Sequence, residues 1–185
     1  NKTGDGTSAI PYVIENLTID ASGQYQGILI EGVDYHLLIH NCTVINSAAH
    51  GIIIQNSTNI NITDSIIRDN IFGTFIANSH NILLRNNNIT GNAMHGVELS
   101  NSTNNTLSAN NISSNAYDGI VINHTTKTVV TGNYLHHNDD GIYMSFGYNN
   151  SFVSNNASHN RADGIFIGNS SDNVFLENNC TGNGG

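Results

Sequence analysis

The chain has 185 residues, 38% of them apolar and 10% charged, with a formal net charge of −9; an average domain is roughly 25% charged. Five Lys and Arg residues cannot form the basic face a nucleic-acid partner requires, and no apolar run approaches the ~18 residues of a membrane span. The 33 Asn, and 24 Ile against 10 Leu, exclude a coiled coil or helical bundle and favour strands.

Residues 1–26 stand apart. Gly4-Asp5-Gly6-Thr7-Ser8 leads into Pro11-Tyr12-Val13-Ile14-Glu15 and Leu17-Thr18-Ile19, read as an opening turn and an atypical first coil. From residue 27 to 185 a repeat takes over. A Gly followed by branched apolar residues recurs at Gly27, Gly51, Gly73, Gly96, Gly119, Gly141 and Gly164, at spacings of 22–24 residues. Asn46, Asn70, Asn92, Asn115, Asn138, Asn160 and Asn183 keep step with it. So do Asn41, Asn88, Asn111, Asn133, Asn156 and Asn179, with Ser65 in the missing place. This period, with little Leu, predicts an all-β, right-handed parallel β-helix of about seven coils with three short strands per coil. Equivalent residues then stack about 4.8 Å apart. Asn side chains suit such stacking because each amide both donates and accepts.

Alternation places the first and third residues after each Gly inside, from Ile28 and Ile30 to Ile165 and Ile167, with Thr74 as the weak rung. A second inward column is read as Cys42, Ile66, Ile89, Ile112, Tyr134, Ala157 and Cys180. Six coils would separate Cys42 from Cys180, far beyond disulfide reach, so two buried free thiols are expected. The chain has no initiator Met and no signal peptide. It stops partway through a coil at Cys180-Thr181-Gly182-Asn183-Gly184-Gly185, so the expectation is a piece of a larger chain, without a C-terminal cap of its own.

The opening GDGTSAIPYVIENLTIDA, the phrase HNCTVINS and the recurring GIxI with N-x-I-x-x-N resemble the NosD-like repeats, also called carbohydrate-binding and sugar-hydrolase (CASH) repeats. The opening phrase is most similar to repeat segments of archaeal cell-surface proteins. The resemblance implies a β-helix and several different functions: nitrous-oxide reductase maturation, sugar processing or a surface scaffold.

Three sets of residues carry candidate chemistry. The residue before each Gly forms the column Gln26, His50, Phe72, His95, Asp118, Asp140 and Asp163. Stacked carboxylates at Asp118, Asp140 and Asp163 would perturb one another, as in a glycosidase pair, or hold calcium. Asp139-Asp140-Gly141-Ile142 resembles a phrase of the polygalacturonases, whose Gly-His-Gly and Arg-x-Lys signatures are absent here. Asp before Gly also simply serves a turn. His136, His137 and His159 are the densest candidate metal ligands, and the resemblance would make that metal copper. The second residue after each Gly, namely Leu29, Ile53, Phe75, Glu98, Val121, Tyr143 and Phe166, should face solvent. Of these, Leu29, Ile53, Phe75, Val121, Tyr143 and Phe166 form a candidate binding stripe on the order of 30 Å long.

Fourteen N-x-S/T sequons begin with Asn1-Lys2-Thr3 and Asn16-Leu17-Thr18. Asn56, Asn101 and Asn169 lie at turns and are the expected glycosylation sites, whereas Asn41, Asn88, Asn111, Asn156 and Asn179 should be occupied by stacking. The leading expectation is an extracellular, cell-surface envelope module with a structural or adhesive role. Its partners would be identical chains, other envelope proteins or carbohydrate, with self-association and no resident cofactor. The alternatives are a carbohydrate-active enzyme or calcium-dependent sugar binder built on the Asp column, and a copper-related accessory protein.

Overall fold

The structure, a computed structural model, describes residues 4–185; the sequon at Asn1 lies outside them. The first coil supplies β1 (Tyr12–Glu15), β2 (Thr18–Asp20) and β3 (Gln26–Glu31). Each following coil lays its strands in parallel register on these. β1 thus founds sheet A of eight strands, and β2 and β3 found sheets B and C of seven strands each. The result is the expected right-handed parallel β-solenoid of about seven turns, without helices among the described residues.

Four apolar columns fill the interior, two of them from sheet C. In sheet C, Ile52, Ile54, Ile76, Val97, Leu99, Ile120, Ile122, Ile142 and Met144 are fully buried, as alternation predicts; in the last described coil, on which no further described coil stacks, Ile165 is only half-buried and Ile167 is 44% exposed, contrary to that expectation. In sheet B the inward column is Val44, Ile67, Ile89, Ile112, Leu135 and Ala157. The expected column differs at three places: the inward residue lies one position beyond Ile66 and Tyr134 and two beyond Cys42. Ile66 and Tyr134 begin their strands, point outward and are exposed. Cys42 is buried at a corner, where its N–H donates to Ser65 Oγ at 3.1 Å, and does not share a column with Cys180. Both thiols are free, but only Cys42 is buried; Cys180 is exposed. Sheet A adds Ile39, Ile62, Leu84, Leu107, Val130 and Phe152.

The Gly column has a steric cause. A Cβ on Gly96 would stand 2.6 Å from Ile112 Cγ2 and 2.7 Å from the Gly119 carbonyl oxygen, and one on Gly73 would stand 2.2 Å from the Gly96 carbonyl oxygen. Successive coils approach too closely here for any side chain.

The corners divide between neighbouring residues two tasks that the sequence reading gave to one. A residue with positive φ turns the chain, and the next side chain is the buried rung. Asp69, Gly91, Ser114, His137, His159 and Gly182 turn ahead of Asn70, Asn92, Asn115, Asn138, Asn160 and Asn183. Each of the first five rungs donates its backbone N–H to the Oδ1 of the next, at 2.8–3.2 Å. The first rung is Ser47, not Asn46, which has φ 60° and turns the chain. In the second ladder the rungs are Ser65, Asn87, Asn110, Asn133, Asn155 and Asn178. Asn88, Asn111, Asn156 and Asn179 each follow a rung, and Asn41 precedes the Cys42 position with φ 49°. A third ladder, Ser57, Ser79 and Ser102, was not anticipated.

Candidate functional site

The outer face of sheet C gathers most of the candidate chemistry. Leu29, Ile53, Phe75, Glu98, Val121, Tyr143 and Phe166 stand in one register column. Beside it runs the column that precedes the glycines. Along its first half runs a file of rings: His50 stacks on Phe72 with centroids 5.0 Å apart, Phe72 meets His95 at 6.1 Å, and His95 meets Tyr117, the residue before Asp118 and outside the column, at 5.7 Å. Phe75 leans toward His50 at 5.2 Å. Burial lowers the pKa of His50, whose Nδ1 is enclosed without a hydrogen-bond partner. Farther along, Tyr143 and Phe166 stack at 5.0 Å with their planes 7° apart.

The stripe is less exposed than alternation alone implies. Leu29 is 51% and Phe166 40% accessible, but Ile53 and Val121 are only 7% and 8% accessible. Ile53 is in register with Phe75, whose ring lies close to His50, and Val121 sits between Glu98 and Tyr143. The expected continuous apolar surface is therefore corrected to two ring clusters, with Ile53 and Val121 buried and Leu29 exposed.

The second half of the column is the acid file. The Asp140 N–H donates to Asp118 Oδ1 at 3.1 Å, and the Asp163 N–H donates to Asp140 Oδ1 at 2.8 Å. Asp118 and Asp140 therefore each anchor the next coil. Burial raises the Asp140 pKa; the Asp163 N–H opposes the rise, and the charges of Asp118, Asp163 and Asp139 add to it. His95 Nδ1 lies 3.2 Å from the Asp118 N–H and 3.3 Å from Asp118 Oδ2. An Nδ1 without hydrogen accepts from that N–H, and an Nδ1 that carries hydrogen donates to that carboxylate. Glu98 stands on the same face, its pKa raised by burial and partly offset by His95.

Arg161 is the described cation beside this file, and it is already engaged: Nη2 lies 3.4 Å from Asp139 Oδ1 and donates to the Ala116 carbonyl. Arg68 belongs to a sheet B strand, Arg85 to a sheet A strand, and Lys127 occupies a corner.

His136 and His137 touch through their Nδ1 atoms at 2.7 Å. Burial, then the charges of His137 and His159, lowers the His136 pKa. Among the described residues, no three His, Cys, Asp or Glu side chains come together so as to hold a metal ion, at this cluster or at the acid file. Asn56, Asn101 and Asn169 are exposed corner residues with φ 49–51°. The contrast with ladder sequons needs correction, because Asn41 and Asn179 are exposed and Asn88, Asn111 and Asn156 are only half-buried beside the true rungs.

The sequence reading placed Asp118, Asp140 and Asp163 in one file but did not single out His95, Glu98 or Tyr117 as site residues. The available signal was that Glu98 is the one charged residue in an otherwise apolar column, three positions after His95.

The fold defines a right-handed parallel β-helix. A family profile described as "Right handed beta helix region" matches residues 3–144 and 109–185, and the chain belongs to that family. The periplasmic alginate epimerase AlgG is similar in structure, with a TM-score of 0.71 and 17% identity over 96% of this chain and 57% of AlgG. The A-module of the Azotobacter vinelandii mannuronan C-5 epimerase AlgE4 matches at TM-score 0.67 and 17% identity, over 89% of this chain and 55% of the module. The enzymatically active domain of bacteriophage CBA120 tailspike protein 2 matches at TM-score 0.79 and 16% identity, over 88% of this chain and 30% of that domain. The chain thus spans less than two thirds of each of these structures. No curated protein matches it in sequence.

Proposed function

We propose that this chain is an extracellular carbohydrate-recognising β-helix module whose glycan-contacting surface is the outer face of sheet C. The observation that carries this reading is the placement of two ring clusters and a file of carboxylates on one face. The His50–Phe72–His95–Tyr117 file and the Tyr143–Phe166 stack border Asp118, Asp140 and Asp163. Flat rings pack on the C–H faces of pyranoses, and carboxylates accept from sugar hydroxyls. The names of the structural neighbours support the same reading, as does the similarity of the opening residues to archaeal surface repeats. Screening the chain on a glycan array tests it: the expected result is binding that Tyr143→Ala with Phe166→Ala abolishes. Absence of binding to every glycan overturns it.

A second reading, a polysaccharide-processing enzyme, is favoured by His95 beside Asp118 with the raised-pKa Glu98 on the same face. It requires new reducing or unsaturated ends when the chain is incubated with a bound glycan, and their loss in His95→Ala.

A further inference from the structure

We propose that the sheet C face takes an uncharged polysaccharide and rejects a polyuronate. This rests on the glycan reading above and narrows it. An ionised carboxylate is an acceptor only. The file of Asp118, Asp140 and Asp163 is built into the coil stacking, since the first two each hold the N–H of the next through Oδ1. With coils about 4.8 Å apart, these side chains lie within one Debye length of each other and of anything laid along them. Glu98 and Asp139 add acid to the same region. A polymer carrying a carboxylate on each sugar would bring like charge to this file at every coil. A neutral polymer brings hydroxyl donors instead, and the adjoining Tyr143–Phe166 stack offers it a flat apolar face.

Among the described residues, Arg161 is the one Lys or Arg beside this file, the others lying on sheets A and B or at a corner. Arg161, the described cation at the file, is held by Asp139 and the Ala116 carbonyl. A net charge of −9 extends the repulsion over the whole chain.

Native affinity electrophoresis tests the proposal, using gels cast with barley β-glucan, galactomannan, sodium alginate or polygalacturonate at low and at physiological salt. The wild-type chain should be retarded by a neutral polymer about tenfold more strongly than by either polyuronate, with the gap narrowing as salt rises. The triple variant Asp118→Asn, Asp140→Asn, Asp163→Asn keeps each Oδ1 acceptor, so its far-UV circular dichroism should be unchanged. It should narrow the preference about tenfold. Retardation by a polyuronate equal to or above that by neutral polymers overturns the proposal while leaving the glycan reading intact, as does an unchanged preference in the folded triple variant. No retardation in any gel overturns the proposal, and together with no binding on the glycan array it overturns the glycan reading as well.

Discussion

In Asn86-Asn87-Asn88, three identical side chains occupy three environments. Asn86 turns the chain at φ 57°, Asn87 is a buried rung, and Asn88 lies in a strand and accepts from Asn111 Nδ2 at 3.1 Å. All three positions recur with the period of the coil, so periodicity alone cannot choose which Asn is the rung. At Asn70 and Asn92 the Asn of the repeat is itself the rung; at the single Asn41 and Asn46 the rung is the next residue, and in the Asn doublets and triplet it is the residue before the one the period picks out. The energetic difference between these positions is testable. Asn133 Oδ1 accepts from the Asn110 N–H and Nδ2 at 3.0 and 2.9 Å, while its Nδ2 donates to the Leu107 carbonyl at 2.9 Å and to Asn155 Oδ1 at 3.0 Å. Asn133→Ala removes these bonds and leaves the buried Asn110 N–H without its acceptor, although Asn110 Nδ2 keeps the Leu84 carbonyl and Asn155 Oδ1 keeps the N–H of residue 133; the cost should be about 2–3 kcal/mol. Asn111→Ala, on the outer side, should cost within about 0.5 kcal/mol. Urea titration of both variants gives the comparison, and equal losses would refute the division between turning, rung and strand positions.

At the scale of the strand, legibility depended on how narrowly each column restricts its residue type. Sheet C was readable because coil contact demands Gly at one place and alternation follows from it. The inner column of sheet A varies through Ile39, Ile62, Leu84, Leu107, Val130 and Phe152, since filling volume is its only constraint, and it carried no fixed letter to find. The site divides in the same way. The acid file was visible at a constant offset from Gly, whereas the pairing of His95 with Asp118 depends on side-chain direction. The acid file also has a pH signature. Burial and neighbouring charge raise the Asp140 pKa, so the native state takes up a proton at higher pH than the unfolded chain does. Ionised Asp140 therefore opposes folding above its raised value, and that penalty is relieved as pH falls toward the ordinary value of 3.8. Asp140→Asn preserves the acceptor for the Asp163 N–H and should melt higher than wild type at neutral pH. The gap should close as pH falls through the interval between the two values. Melting curves across pH 3 to 8, roughly the range in which carboxylates titrate, measure it; a gap that is constant with pH would remove the electrostatic explanation.

Across the whole molecule, each coil contacts chiefly the coils above and below it, so stability is close to a sum of coil and interface contributions. Register then decides which alterations the solenoid tolerates. Removing residues 88–110 excises one full period and joins Asn87 to Asn111. Ile67 then stacks on Ile112, Ile76 on Ile122 and Leu84 on Val130, positions that already share columns through the coil removed. Each ladder loses one rung, and inward and outward faces are preserved. The shortened chain should fold, keep its β-type circular dichroism, melt at a lower temperature and scatter as a rod about 4.8 Å shorter. Removing only residues 88–99 takes out about half a coil and places sheet A residues where sheet B and C strands must pair. Apolar side chains would then face solvent and the corner ladders would lose their partners, so this variant should not fold. Small-angle scattering and thermal melts of the two deletions make the comparison. If both fold or both fail, coil register is not what holds the molecule together.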